Sequence, residues 1–378
     1  MPVRSLLALA LLLAAPAWAQ PLQTWVQRLE TRQVKASVGL WDLKTGQILE
    51  GHQMDLALVP ASTTKILSSY ALLKTWKPNF VLETEVWGEL HGNTVRGDLI
   101  FKGVGDPMLT SERLWLLAAD LKAKGLLHVT GRVRLDQSAF DGQRYGDGWE
   151  NTSANTTPAI LPLSVNFNRE EGRLLTDPDR VATETIVKIL SQAGISFAGE
   201  SPSASVPTKL LAFPSLPLRD LIGNINKFSN NFMIEMLVKR FGAGSWAQGI
   251  RQIQSFYSTV LNLGPDKVAI TDGSGLSKYN HLSARTLAIV LRAAWNDFEV
   301  GPEMVSSLKI IGGEPWKLHI KDPNLTRRVR VKTGHLNNVT SACGYLQTPT
   351  GELRVFAILL NGPSSDEDAW ELISRWAN

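Results

Sequence analysis

The chain predicts an α/β fold: an antiparallel sheet flanked by helices, opened in its middle by a smaller inserted α/β domain. Strand and helix patterns occupy both ends, between residues 22 and 73 and again between 329 and 376. Residue types suited to chemistry sit at those distant ends, at Ser62 and Lys65 and at Lys332, so one core has to bring the ends together. Between them lies a strand-rich stretch closed by a proline-rich segment, Ser201 to Pro217. This gives residues 83–209 as the insertion, and 20–82 with 210–378 as the split main domain.

The first nineteen residues stand apart. Arg4 precedes the apolar run Leu6 to Ala15, and Ala17-Trp18-Ala19 has the small-x-small spacing of a signal peptidase site. The run is too short for a membrane anchor, and no later stretch is long and apolar enough for one. The expectation is a signal peptide over 1–19 and a mature protein exported to the periplasm. Of 378 residues, 44% are hydrophobic and 20% charged, ordinary for a globular protein. The net charge of +4 has no dense basic block behind it, which argues against a nucleic-acid partner. Cys343 is the only cysteine, so no internal disulfide forms, and its apolar setting suggests a buried, inert thiol. The six histidines lack zinc-ligand spacing, and neither a metal nor another cofactor is implied.

In order, Leu22 to Arg32 predicts an amphipathic helix, and Ala36 to Trp41 with Gln47 to Glu50 a hairpin. A buried helix runs on from Ser62 through Leu73. Phe80 to Lys102 reads as strand with turns at His91-Gly92-Asn93 and at Arg96-Gly97-Asp98. Ser111 to Lys124 is a helix with Ser111 as candidate cap, and Val129 to Leu135 another strand. Residues 141–168 suit a long ordered loop or a linker, and Val181 to Ala193 a helix. A helix follows Ser229, Val329 to His335 alternates as a strand, and Thr340–Gln347 with Leu353–Leu360 forms a second hairpin. Asp366 to Trp376 closes the chain as a helix, with Trp370, Ile373 and Trp376 facing inward.

Three short patterns carry chemistry. Ser62 at a helix start shares a face with Lys65, and a hydroxyl beside an amine in an apolar setting is a nucleophile–base pair. The same residues also fit an N-capping serine and a surface lysine. Ser229-x-Asn231 opens another helix, where Ser229 alone would pass for a cap. Lys332 lies on a strand, ordinarily a solvated position, followed by Gly334, which leaves room for another backbone.

Taken in order, Ser62-x-x-Lys65, Ser229-x-Asn231 and Lys332-Thr333-Gly334 resemble the three motifs of penicillin-recognising serine hydrolases. The flanks Gly105-Asp106-Pro107-Met108, Leu163-Ser164-Val165-Asn166 and Asp272-Gly273-Ser274-Gly275-Leu276-Ser277 look like the D-alanyl-D-alanine carboxypeptidase/endopeptidases of the penicillin-binding protein 4 type. The resemblance implies a transpeptidase/β-lactamase-like fold, peptidoglycan stem peptides as substrate and β-lactams as acylating agents. It implies that Ser62 attacks the penultimate D-alanine carbonyl while Lys65 takes its proton, and that Ser229 relays a proton to the leaving amine. Asn231 would hold the substrate amide, and Lys332 the terminal carboxylate. The N–H groups of Ser62 and His335 would form the oxyanion hole, and the strand through Thr333 and Gly334 would pair with the substrate.

Two departures stand out. Only Asn168 to Arg173 fills the place of a longer inserted module, and His335 replaces the usual Thr or Ser. An imidazole there would anchor the substrate carboxylate best when protonated, so activity would rise as pH falls. The run Asp272 to Gly275 fits either a tight turn or a wall of the site. The rival readings are a β-lactamase or esterase on the same scaffold, for which no deacylating Glu motif is evident, and a non-catalytic peptidoglycan-binding scaffold.

Overall fold

The computed structural model describes residues 21–149, 157–200, 206–313 and 322–378; the expected signal peptide lies outside the described residues. Helix α1 (Leu22–Thr31) buries Leu22, Trp25, Val26 and Leu29 on one face, as its periodicity predicts. Strands β1 (Lys35–Asp42) and β2 (Ile48–His52) pair as a hairpin whose turn is pinned by Thr45 N donating to Asp42 Oδ1. A 3-10 turn, Ala61–Thr64, runs into α2 (Lys65–Trp76), which is buried from Lys65 to Leu73.

The insertion begins with β3 (Glu83–His91) and β4 (Thr94–Lys102). Arg96-Gly97-Asp98 is no turn: it lies inside β4, opposite a register shift in β3, and Gly97 is held at both its N–H and its carbonyl by Thr130 and Gly131. Ser111 is not the cap of α3 (Ser111–Ala123) either, since its N–H and hydroxyl are both taken by the Asn166 side-chain amide. The strand predicted from Val129 to Leu135 is two pieces, β5 (His128–Val129) and β6 (Val133–Asp136). Strands β7 (Arg169–Glu170) and β8 (Arg173–Leu174) form a minimal hairpin within the short segment Asn168 to Arg173. Helix α4 (Pro178–Gln192) starts at Asp177, whose carboxylate accepts Arg180 N. After β9 (Ser196–Phe197), β10 (Thr208–Pro214) pairs with β3. Strand β10 thus joins the β3–β4 sheet, with Leu211 and Phe213 alternating into its core.

Helices α5 (Leu218–Phe228), α6 (Asn231–Phe241), α7 (Trp246–Leu261), α8 (Ala284–Asn296) and α9 (Gly301–Ser307) follow. Then come β11 (Lys309–Ile310), β12 (Val329–Leu336), β13 (Val339–Gln347), β14 (Leu353–Asn361) and α10 (Asp366–Ala377). The main sheet has the order β11-β12-β13-β14-β1-β2 and is antiparallel throughout. Its two ends of chain meet at β14 and β1, which is how residues 35–42 and 353–361 share one sheet.

Period two sorts this sheet into faces. Along β14, Phe356, Ile358 and Leu360 pack with α1 and α10, while Val355, Ala357 and Leu359 join the core that holds α2, α6 and α8. The β3–β4 sheet with α3 and α4 has a separate core of Val86, Leu99, Phe101, Leu117 and Ile186.

Candidate active site

The site forms where the Ala61–Thr64 turn is pressed between β12 and the loop 272–275. Ser341 on β13 donates its hydroxyl to Pro60 O at 2.6 Å, and Asn361 brackets Val59 by accepting its N–H and donating to its carbonyl. Ala61 takes a left-handed conformation, φ +48°, a strained geometry held by those contacts. Gly334 is required by proximity: a Cβ on it would lie 2.6 Å from Ser62 N and 2.5 Å from Ser341 Oγ. The backbone that Gly334 makes room for is thus that of Ser62. Gly275, at φ +84°, would place a Cβ 1.8 Å from Ala61 O. The loop 272–275 is a wall of the site, not merely a turn.

Lys65 Nζ lies 2.9 Å from Ser62 Oγ, 2.6 Å from Asn231 Oδ1 and 2.7 Å from Ser274 O, and its side chain is wholly buried. A neutral amine has two N–H bonds and one lone pair. In the neutral form the two carbonyl-type oxygens would take both N–H bonds and leave the lone pair for the Ser62 hydroxyl, whereas the ammonium donates to all three oxygens. Burial lowers the Lys65 pKa to about 7, against the pull of Glu235 and Asp272. Neither capping serine nor surface lysine describes this pair.

Ser229 is not the N-cap of α6. Asn230 is, accepting Met233 N at 3.1 Å, while Ser229 ends α5 in a left-handed conformation, φ +55°. Its hydroxyl is thereby free to accept from Lys332 Nζ at 2.9 Å. Lys332 is buried rather than solvated, and its second contact is Thr333 O at 2.8 Å. Burial, then the charges of Lys65 and Lys309, push its pKa well down. Cys343, its cross-strand neighbour, is buried and inert, with its thiol pushed up to about 12.

Six of the eight expected residues therefore converge: Ser62, Lys65, Ser229, Asn231, Lys332 and Gly334. Thr333 contributes its carbonyl. The His335 side chain does not join them. It lies one residue past Gly334, on the alternate face of β12, and its Nε2 meets Asp366 Oδ1 at the start of α10. Sequence reasoning also missed Glu235 and Lys239, although a signal was there. Asn231, Glu235 and Lys239 are spaced by four along an apolar, buried helix, so they form one polar stripe facing the site's walls. Lys239 Nζ holds Asp141 Oδ1 and Gln143 O, both at 2.5 Å, and sits over the Trp246 ring.

Comparison with known proteins places this constellation. The model of the D-Ala-D-Ala carboxypeptidase 3 (S13) family matches residues 20–171 and 160–377. The chain belongs to that family. It is 26% identical over 419 residues to the D-alanyl-D-alanine carboxypeptidase of Actinomadura sp. (strain R39), covering 85% of this chain and 77% of that one. It is 24% identical over 411 residues to D-alanyl-D-alanine carboxypeptidase DacB of Haemophilus influenzae, covering 86% and 85%. Among solved structures, penicillin binding protein 4 of H. influenzae superposes with a TM-score of 0.80 at 20% identity, over 94% of this chain and 99% of that one. Bd3459, a predatory peptidoglycan endopeptidase of Bdellovibrio bacteriovorus, gives 0.61 at 15% identity, over 91% and 90%. This S13 chain is a serine-type D-Ala-D-Ala carboxypeptidase, and its α/β fold is that of penicillin binding protein 4 of H. influenzae. Among the described residues no helix is long and apolar enough to cross a membrane, and no cluster suits a metal ion.

Proposed function

We propose that this peptidase cleaves D-Ala-D-Ala termini and D-Ala cross-links of peptidoglycan stem peptides through an acyl-enzyme on Ser62, and that penicillin acylates the same oxygen. The single observation that carries the reading is the buried Lys65 amine, whose Nζ lies 2.9 Å from Ser62 Oγ while Asn231 Oδ1 and Ser274 O accept from it. Lys65 takes the Ser62 proton as Oγ bonds to the penultimate carbonyl carbon. The oxyanion is held by the N–H groups of Ser62 and His335, a role supported by the close approach of β12 to Ser62 N. The C–N bond then breaks, and the departing D-alanine amine receives its proton through Ser229, backed by Lys332. Water attacks the ester by the reverse path and restores Ser62. With penicillin the broken amide is the ring, so its leaving group stays tethered and the ester persists.

Lys332 and Asn231 bind the substrate carboxylate and amide in this reading, and the edge of β12 from Lys332 to His335 pairs with the extended substrate. Export to the periplasm belongs to the proposal, supported by the pattern of Arg4, Leu6 to Ala15 and Ala17-Trp18-Ala19. Incubation with labelled penicillin followed by peptide mass spectrometry tests it: the adduct maps to Ser62 and is absent from Ser62→Ala. An unmodified wild-type protein, or label elsewhere, overturns it.

A further inference from the structure

Glu235 is a carboxylate that the mechanism above does not use. It is fully buried on α6, one turn after Asn231. Its oxygens accept Ser274 N at 2.6 Å, Gly273 N at 3.3 Å and Trp246 Nε1 at 2.8 Å. Ser274 in turn offers its carbonyl to Lys65 Nζ. The same helix therefore reaches Lys65 twice, directly through Asn231 Oδ1 and indirectly through the loop that Glu235 grips. With three N–H groups on it and no contact to Ser62, Glu235 is not placed to activate a hydrolytic water.

We propose that Glu235 is a positioning residue for the acylation step: its carboxylate fixes the Gly273–Ser274 backbone so that the Ser274 carbonyl holds the Lys65 amine against Ser62, and its charge governs when that amine takes up a proton. This rests on Lys65 being the base for Ser62. A loop with Gly on either side of Ser274 has no stiffness of its own, so a fixed acceptor for its N–H groups is what sets the direction of the carbonyl. The electrostatics of the cluster support the second half. Lys65 faces Glu235 from α6, Asp272 from the loop and Lys332 from β12; Lys239, one turn beyond Glu235, is engaged by Asp141. Asp272 is itself ringed by four donors, Trp149 Nε1, Gly275 N, Ser277 N and Asn280 Nδ2. Burial, then the neighbouring Asp272, raises Glu235 to about 7, the same value to which burial lowers Lys65. The Glu235 charge raises the proton affinity of Lys65 against the effect of burial.

The test measures the rate of Ser62 acylation by labelled penicillin against pH, after the adduct has been mapped in the wild type. Glu235→Gln keeps the size and an acceptor but removes the charge. The acid limb of its profile is expected to move to lower pH, because the Lys65 ammonium loses a stabilising neighbour, and its plateau to fall by ~10- to 100-fold as the loop relaxes. Trp246→Phe keeps the charge-bearing group but deletes one donor to it. The resulting shift is expected in the same direction and smaller, and this variant carries the test if Glu235→Gln fails to fold. Rescaled plateaus with unmoved acid limbs in the folded variants would leave Glu235 a purely structural residue and overturn the inference. Absence of a Ser62 adduct in the wild type would instead overturn the parent reading.

Discussion

One sheet separates two very different interiors. The face toward α1 and α10 packs Val38, Leu40, Phe356 and Ile358 against Trp25, Leu29, Ile373 and Trp376. The opposite face, toward α2 and α6, buries Lys65, Lys332, Glu235 and Asp272. The first is held together by area removed from water, ~25 cal/mol per Å². The second holds charges at positions where burial disfavours them, and their proton affinities move in response: Lys65 and Lys332 down, Glu235 up. The contrast teaches that one face packs an apolar core, while the other adds to its own apolar core a set of buried charges, among them a lysine whose pKa falls to about 7.

The sharpest way to test the polar face is Lys65→Ala. Removing the base should slow penicillin acylation by ~10²–10⁴-fold with little change in circular dichroism. In the wild type the rate should rise as pH climbs through about 7, since Lys65 is protonated and lacks its lone pair below that value. A variant that acylates at the wild-type rate would move the base elsewhere.

The apolar face should behave in the opposite way. Phe356 is wholly buried between the sheet and Trp376. Its truncation, Phe356→Ala, is expected to cost ~3–5 kcal/mol of unfolding free energy in a urea titration. Acylation by the protein that remains folded should be unchanged. A large loss of acylation in the folded fraction would show that the faces are mechanically coupled.

Gly334 sits where the strand meets the Ser62 turn, so Gly334→Ala joins the two tests. A methyl 2.6 Å from Ser62 N must push the turn away from β12. Acylation should fall by ~10- to 100-fold, the scale of a misplacement near 1 Å, with a smaller loss of stability than Phe356→Ala. Equal rates would mean that the turn has slack and that no oxyanion site is built there.

Much of this was legible in the chain because the informative signals were local. Helix α1, the two hairpins and α10 follow from periodicity and turn residues, and the three motifs located Ser62, Ser229 and Lys332. What escaped depends on partners far along the chain. Ser111 looked like a cap until Asn166 claimed it, and Gly97 looked like a turn until Thr130 and Gly131 paired with it. Strand β10 was hidden by prolines because its pairing partner, β3, lies 120 residues earlier at Thr208 and Gly88. Glu235 could have been suspected from its spacing of four after Asn231, but its acceptor role required the position of Ser274.

The smallest effect is expected at His335, and it probes whether the two faces stay distinct at the mouth of the site. From sequence, an imidazole after Gly334 would bind the substrate carboxylate and make activity rise as pH falls. The strand's alternation instead sends it to the α10 side, where it meets Asp366. Both side chains are about half exposed, at 50% and 54%, and an exposed contact of that kind contributes at most ~1 kcal/mol. His335→Thr keeps the backbone N–H assigned to the oxyanion, so acylation of Ser62 should be unaltered and thermal stability nearly so. The rate of D-alanine release from a pentapeptide, followed against pH, should superimpose on the wild type. A flattened profile in the variant would mean that the imidazole leaves Asp366 for the substrate carboxylate, and that the division between the faces ends one residue earlier, at Gly334.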